Sequence, residues 1–286
     1  MMRHLTALFA LLLLTYQPQL NAQTFTFTAI PDQDETLLQT RFGSIADYLS
    51  EQLGTDVRYL PVKSYAAAVT AFRNNQVQLA WFGGLSGVQA RKRVPGSEAI
   101  AQGYEDQFFQ TFFIAHQSTG LARSEQLSEQ IRGKTFTFGS KGSTSGRLMP
   151  EYYLRNRFDQ SPDQLFRRVG FSGDHSRTIA LVQSGAYDLG AVNFKVWERE
   201  LAAGRIDTDK VEVIWSTPSY PDYQWSIRGD VDQRWGAGFK QKVKRALLAI
   251  DDRKLLDAFP RSRFIEASNA DFEPVERVAR DIGLID

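Results

Sequence analysis

Gly139-Ser140-Lys141-Gly142-Ser143-Thr144-Ser145-Gly146 sets three consecutive hydroxyls between glycines, after a β-rich run and before a helix expected from Arg147. Glycines allow tight backbone there, so hydroxyls and free amides converge on the positive end of a helix dipole, which suits an anion. The segment lacks the Gly-Lys-Ser/Thr ending of a phosphate-binding P-loop and the Gly-x-Gly-x-x-Gly spacing of a dinucleotide site. An ordinary N-cap on a flexible glycine loop has the same composition, and the residues alone leave both readings open.

Trp81-Phe82-Gly83-Gly84-Leu85-Ser86 is a second strand-to-helix turn whose amides could face a cleft. A bulky core turn is the competing reading. Tyr65, in a first helical turn, carries a phenol able to donate to a ligand, although a half-buried tyrosine is ordinary. His175 follows Phe171-Ser172-Gly173-Asp174, where a histidine is more often structural than a ligand contact. With three histidines in the chain and no cysteine, a zinc site is not expected. A hydrolase triad of Ser143, His175 and Asp188 can be drawn, but no Gly-x-Ser-x-Gly elbow supports it.

These segments need strands and helices in alternation to hold them, and the chain supplies that pattern from Thr24 onward. Strands are expected at 25–30, 57–62, 77–81, 109–115, 135–138, 169–171, 189–192, 211–215 and 223–227. Leu38, Phe42, Ile45, Leu49 and Leu53 mark one helix face that Gly54 ends, and Ser64 caps a helix running to Phe72. Further helices are expected near 147–157, 174–184, 194–202, 233–250 and 274–282. The runs at 109–115 and 223–227 look like two crossings between lobes, placing residues 23–115 and 223–286 in one lobe and 116–222 in the other, with a hinge between them.

Residues 1–22 carry Arg3 and His4 ahead of an apolar run, Leu5 to Leu14, too short to span a bilayer. They are expected to be a signal peptide cleaved after Ala22. No cysteine means no lipid-anchor thiol, so a soluble exported protein is expected. Loss of Arg3 leaves 33 basic against 33 acidic side chains, so no overall basic field points to nucleic acid, and anion selectivity must be local.

With Lys63-Ser64-Tyr65, Leu79 to Ser86, Gly142 to Gly146, Gly173-Asp174-His175 and Gly185-Ala186-Tyr187-Asp188-Leu189-Gly190, the chain resembles the phosphate, phosphite and phosphonate substrate-binding proteins of bacterial ABC transporters, most nearly their selenate-binding branch. The resemblance covers about 25–270. It implies the α/β two-lobed periplasmic-binding-protein fold, type II, with the ligand cleft between lobes joined by two crossing strands. It also implies no catalysis and no cofactor, a monomer, and a membrane permease as partner. The ligand would be a small tetrahedral oxyanion held by Tyr65, Ser143, Thr144 and Ser145, with Trp81, Phe82, Gly83 and His175 lining the cleft. A periplasmic hydrolase on this scaffold using Ser143 and His175, or a sensor acting through a membrane receptor, are the alternatives.

Two departures from the family bear on the ligand. Phe109-Gln110-Thr111 stands where many relatives have Tyr-x-Ser, leaving Thr111 to replace the serine, and Asn193 stands where aminophosphonate binders place a carboxylate. Selenate or sulfate is met best by donors alone, whereas a protonated phosphorus oxyanion also needs an acceptor. Asp188 is the nearby carboxylate in sequence, expected at a strand end and supporting His175 if it does not touch ligand.

Overall fold

The computed structural model describes residues 23–286, so the expected signal peptide lies outside the described residues. Eleven strands form two sheets. They are β1 (Phe25–Ala29), β2 (Val57–Tyr59), β3 (Leu79–Phe82), β4 (Glu98–Gly103), β5 (Thr111–His116), β6 (Thr135–Phe138), β7 (Arg168–Phe171), β8 (Leu189–Asn193), β9 (Val211–Ser216), β10 (Gln224–Ile227) and β11 (Phe264–Glu266). The first sheet has the order β11-β4-β10-β3-β1-β2 and the second β7-β6-β8-β5-β9. β1 runs parallel to β2 and β3, and β6 runs parallel to β7 and β8, so the helical connections cover the sheet faces.

The helices that position the site are α1 (Glu35–Leu53), α2 (Tyr65–Arg73) and α3 (Gly84–Lys92) on the first sheet, and α4 (Met149–Phe158), α5 (Pro162–Leu165), α6 (His175–Gln183) and α7 (Phe194–Ala202) on the second. The stepped apolar face of α1 is buried from Leu38 to Leu53, and Gly54 ends the helix in the left-handed conformation, φ 64°, where a Cβ would be penalised. Ser64 Oγ accepts from Ala67 N at 3.1 Å and starts α2. The expected helix over 233–250 is instead two, Val231–Trp235 and Phe239–Leu248, because Gly236 and Gly238 take positive φ between them. β4 and β11 escape a pattern search. β4 reads Glu-Ala-Ile-Ala-Gln-Gly, poor in β-branched residues, and its strand state comes from being clasped between β10 and β11.

The chain crosses between sheets twice. Phe109 and Tyr220 form an isolated antiparallel bridge where the two crossing segments meet. Thr111–His116 pairs with β8 and β9, so this strand belongs to the second sheet, not to the first lobe as the boundary at 115 implied. Aromatic rings fill the first lobe, with Phe27, Phe42, Trp81, Trp225 and Phe259 in mutual edge and tilted contacts. The second sheet has a cluster on each face, one around Phe136 and Phe138 and one around Ile179, Val192 and Trp197. Among the described residues no helix is long and apolar enough to cross a membrane.

Asp106, in the turn before the first crossing, is fully buried and binds Arg261 Nε at 2.9 Å and Nη2 at 2.6 Å while accepting from Gly103 N at 3.0 Å. Arg261 in turn lies over the rings of Phe109 and Tyr223, which flank both crossings. Removing one partner leaves a bare buried charge. Asp106→Ala is therefore expected to lower unfolding free energy by about 3–5 kcal/mol, read as a drop in urea midpoint.

Candidate functional site

The carboxyl ends of β1, β3, β6 and β8 all point to one junction between the sheets, the usual place for a ligand in open α/β folds. After β6 the glycine loop leads into Ser143, whose Oγ accepts from Gly146 N at 2.9 Å as an N-cap. Leu148 N bonds Ser143 O at 3.0 Å, so Thr144–Leu148 opens the helix as a single π turn before α4. This wider turn presents Ser143, Thr144 and Ser145, all buried, toward the first lobe. Gly142 allows a close approach, since a Cβ there would sit 3.1 Å from Tyr65 Cβ. Tyr65 is buried with its phenol facing Ser143, and burial holds that phenol well above its usual range.

From the first lobe, α3 brings its N-terminal amides. Gly84 N donates to Asp222 Oδ1 at 2.7 Å, and Leu85 N donates across the lobes to Thr144 Oγ1 at 3.0 Å. A Cβ at Gly83 would lie 3.1 Å from Asp222 Oδ1 and 3.3 Å from Thr144 Oγ1, a tight approach that would press on both side chains. Asp222 was not singled out from the sequence. It is 1 % exposed, and burial pushes its carboxyl up to about 7 despite the Gly84 amide and Thr144 hydroxyl that favour the ionised form. It lies in an irregular segment, Ser219-Tyr220-Pro221-Asp222, that carries no motif.

His175 opens α6 behind Asp174, is fully buried, and its Nδ1 accepts from Asn193 N at 3.3 Å. That bond puts the ring proton on Nε2. Burial lowers the imidazolium to about 4, so the ring is a neutral donor at neutral pH. Nε2 has no hydrogen-bond partner among the described residues, and neither has Ser145 Oγ. One lies beside the Ser-Thr-Ser turn and one within it, and each is a buried polar atom of the kind that a bound group or water satisfies.

The remaining expected residues surround this centre at one remove. Thr111 Oγ1 donates to Ser145 O at 2.9 Å, so in its 2.6 Å contact with the Tyr220 hydroxyl the phenol is the donor. Tyr220, a second residue missed from the sequence, thus comes from the return crossing to the place where a crossing-strand phenol was absent. Asn193 does not face the Ser-Thr-Ser turn. Its Oδ1 caps α7, accepting from Lys195 N and Val196 N, and its Nδ2 donates to Tyr223 OH at 2.9 Å. Tyr223 OH donates to Asp32 Oδ2 at 2.8 Å, and Asp32 O accepts from His175 N at 3.1 Å. Trp81 stacks on Tyr223 with ring centroids 5.5 Å apart and forms the wall behind that network.

Two expected residues are displaced from the site. Phe82 points to the other face of β3, edge-on to Phe72 in the core, because alternate side chains on a strand take opposite faces. Asp188 precedes β8, at the opposite end of that strand from Asn193. It accepts from Thr135 N at 2.8 Å and Thr135 Oγ1 at 2.9 Å and pairs with Arg167 at 3.4 Å. Five strand residues at ~3.3 Å each separate it from the site, so it supports neither the ligand nor His175. The Ser143, His175, Asp188 triad falls with it, and Nδ1 of His175 is in any case an acceptor. Among the described residues no group of three or more His, Cys, Asp or Glu could hold a metal ion.

The model of the ABC transporter phosphonate periplasmic substrate-binding protein family matches residues 27–272. A Prochlorococcus marinus protein named "Probable ABC transporter phosphite binding protein PhnD1" is 40 % identical over 272 residues, 93 % of this chain and 92 % of that protein. A solved structure of PhnD1 from that organism, in complex with methylphosphonate, is similar with a TM-score of 0.86 and 40 % identity, covering 93 % of this chain and all of that one. A binding component of an ABC phosphonate transporter from Pseudomonas aeruginosa has a TM-score of 0.77 at 21 % identity, over 90 % of this chain and 86 % of that one, a likeness of fold.

The tautomer gives a test that needs no ligand. Nitrogen NMR of His175 should show Nδ1 as the unprotonated acceptor and Nε2 as protonated, unchanged as pH falls from neutrality until it nears about 4. An imidazole titrating near its ordinary 6.5 would contradict the buried neutral donor.

Proposed function

We propose that this chain, which belongs to the periplasmic substrate-binding proteins of phosphonate ABC transporters, captures phosphite or a small alkylphosphonate such as methylphosphonate in its singly protonated form. As such a component it delivers a small ligand to a membrane permease, and the relatives it matches are named as transport proteins, not as enzymes. The observation that carries the ligand reading is Asp222. A cradle of donors alone would suit selenate or sulfate, but a buried carboxylate beside the Thr144 hydroxyl would meet their bare oxygens with like charge. A P–OH offers that carboxylate a proton. This argument moves the ligand away from the selenate expected from the sequence and toward what the 40 % identical relatives are named for.

In this reading Ser143, Ser145, Tyr65 and the Nε2–H of His175 donate to the unprotonated oxygens, Asp222 accepts from the protonated one, and Thr144, whose hydroxyl hydrogen goes to Asp222, orients that carboxylate. Thr111 and Asn193 hold donors in place and do not bind ligand themselves. About five charge-assisted hydrogen bonds at roughly 1.5–3 kcal/mol each exceed an association cost of ~4 kcal/mol or more, which supports micromolar or tighter capture without metal or cofactor. Aminoalkylphosphonates fit poorly, because Asn193, where aminophosphonate binders place a carboxylate, offers its carbonyl oxygen to the α7 amides. We further propose that the protein is exported and free of a lipid anchor, its chain having no cysteine, and that it works as a monomer whose two lobes complete one site. The lobes would hinge at the two crossings, one comprising residues 23–115 and 223–286 less the β5 strand, and the other 116–222 with it.

A thermal-shift panel of phosphite, methylphosphonate, phosphate, sulfate and selenate tests the reading. A ligand at a hundredfold over its dissociation constant adds about 2.7 kcal/mol, several degrees for a chain this size. Phosphite or methylphosphonate should give that rise and selenate should not; the reverse order would sink the proposal.

Asp222 makes two sharper predictions. Asp222→Asn turns the acceptor into a donor, so phosphite should weaken by about 1.5–3 kcal/mol, roughly 10- to 150-fold, while sulfate gains. Complex formation with phosphite keeps one proton between ligand and carboxyl, so affinity should fall as pH rises beyond about 7, where both lose it. Residual sulfate binding should strengthen below that pH, once Asp222 is protonated. Calorimetric titrations on either side of neutrality would show both trends.

A further inference from the structure

Under the proposed export, cleavage after Ala22 makes Gln23 the first residue of the chain. A glutamine in that place carries a nucleophile and an electrophile within one residue, the new α-amine and the Cδ carbonyl, which can join as a five-membered lactam. Gln23 is docked on the first lobe. Its carbonyl oxygen accepts from Trp235 Nε1 at 3.1 Å and from Thr55 Oγ1 at 3.5 Å. Thr24 Oγ1 donates to Asp56 Oδ2 at 2.7 Å and Phe25 N to Asp56 O at 2.8 Å, which fixes the chain as it enters β1.

The side chain of Gln23 meets Arg234. With its amide oxygen turned to the guanidinium, Gln23 accepts from Arg234 Nε at 2.9 Å and from Nη2 as well. Arg234 lies over the Trp235 ring, 5.2 Å from its centroid, so the fork is braced beside the glutamine. The acids nearby carry cations of their own: Asp56 pairs with Arg58 at 2.8 Å, and Asp230, whose ionised form Arg234 also favours, pairs with Arg228 at 2.9 Å. A guanidinium on the amide oxygen has two effects. It withdraws electrons from Cδ, as a fixed donor does at a developing oxyanion. As a cation beside the new N-terminus it also disfavours the ammonium form, whose ordinary value is about 8, so more of the nucleophile is free amine at neutral pH.

We propose that Gln23 is a modification site, closing to pyroglutamate with Arg234 on the reacting carbonyl. The α-nitrogen attacks Cδ and the N–Cδ bond forms while Arg234 meets the charge that develops on the oxygen. The Cδ–Nε2 bond then breaks, and the side-chain nitrogen leaves as ammonia with the proton that the α-amine gives up, so no oxidant or co-substrate takes part. The lactam keeps an oxygen for Arg234 and removes the α-ammonium charge beside that cation, so the product fits the same contact with less repulsion. It also leaves the mature chain without a free α-amine for an aminopeptidase. The inference rests on the proposed export through the position of the cut, and not on the identity of the ligand.

The full chain, expressed in a Gram-negative host and recovered from the periplasm, tests it by intact mass and fragment sequencing. The expected mass is that of residues 23–286 less one ammonia, with the loss on the first residue and N-terminal sequencing blocked until pyroglutamyl aminopeptidase frees Thr24. The part of Arg234 is read from rates. A chain released in vitro to begin with Gln23 should lose ammonia at least about fivefold faster folded than in urea, and Arg234→Ala, a change at an exposed side chain, should bring the folded rate down to the urea rate. A mature chain that starts at Gln23 with a free amine, or at another residue, would overturn the proposal while export stands. Recovery of the chain with residues 1–22 still attached would overturn both. Equal rates in folded, unfolded and Arg234→Ala protein would overturn the role of Arg234.

Discussion

An oxyanion taken out of water loses hydration that costs several kcal/mol to replace, and only donors fixed beforehand can replace it without a further ordering cost. Few single turns carry enough. The three hydroxyls of Ser143 to Ser145 are adjacent in sequence, but the phenol of Tyr65, the ring of His175 and the carboxylate of Asp222 come from three other connections, two sheets and both lobes. The two-sheet arrangement follows from that need, because it aims the ends of β1, β3, β6 and β8 at one junction and lets the lobes exclude water around it. Glycines are kept where those connections touch, Gly83 against Asp222 and Thr144, and Gly142 against Tyr65.

What could be read from the sequence was whatever the chain states locally. The α1 face, the Ser64 cap, the strand at Thr135 to Phe138 and the Ser-Thr-Ser turn are patterns within a few residues, and the structure has each of them. Asp222 and Tyr220 sit in an irregular loop, and their meaning comes from Gly84, Thr144, Thr111 and Ser145, which lie between 75 and 138 residues away. No periodicity encodes such a meeting. Asp188 misled for the same reason in reverse, since adjacency to β8 in sequence says nothing about which end of the strand faces the ligand. Phe82 misled because it shares a turn with Gly83 while pointing to the opposite face.

The ligand reading turns on one sign. Among the groups facing the cradle, the donors are insensitive to whether the central atom is sulfur, selenium or phosphorus, since all present similar tetrahedral oxygens. An acceptor is sensitive, because it asks whether one of those oxygens carries hydrogen. A carboxyl poised near 7 is costly to leave ionised without a donor and useful only with a ligand that titrates in the same range. Placing it against α3, whose Gly84 amide already supports the ionised form, keeps the acceptor available for a P–OH.

His175 links this chemistry to the contacts between the two sheets' lobes. Its useful proton is on Nε2 because Asn193 N occupies Nδ1, and Asn193 is itself steadied by Tyr223 from the other lobe. Tyr223 is fixed by Asp32, whose carbonyl receives the first amide of the His175 helix. The Asp32 to His175, Tyr223 to Asn193 and Leu85 to Thr144 bonds all join residues of the two proposed lobes. Under the proposed hinge, donor orientation at the cradle and contact between the lobes would be one cooperative event: a ligand that satisfied Nε2 and Ser145 Oγ would favour closure, and closure would hold those donors in place.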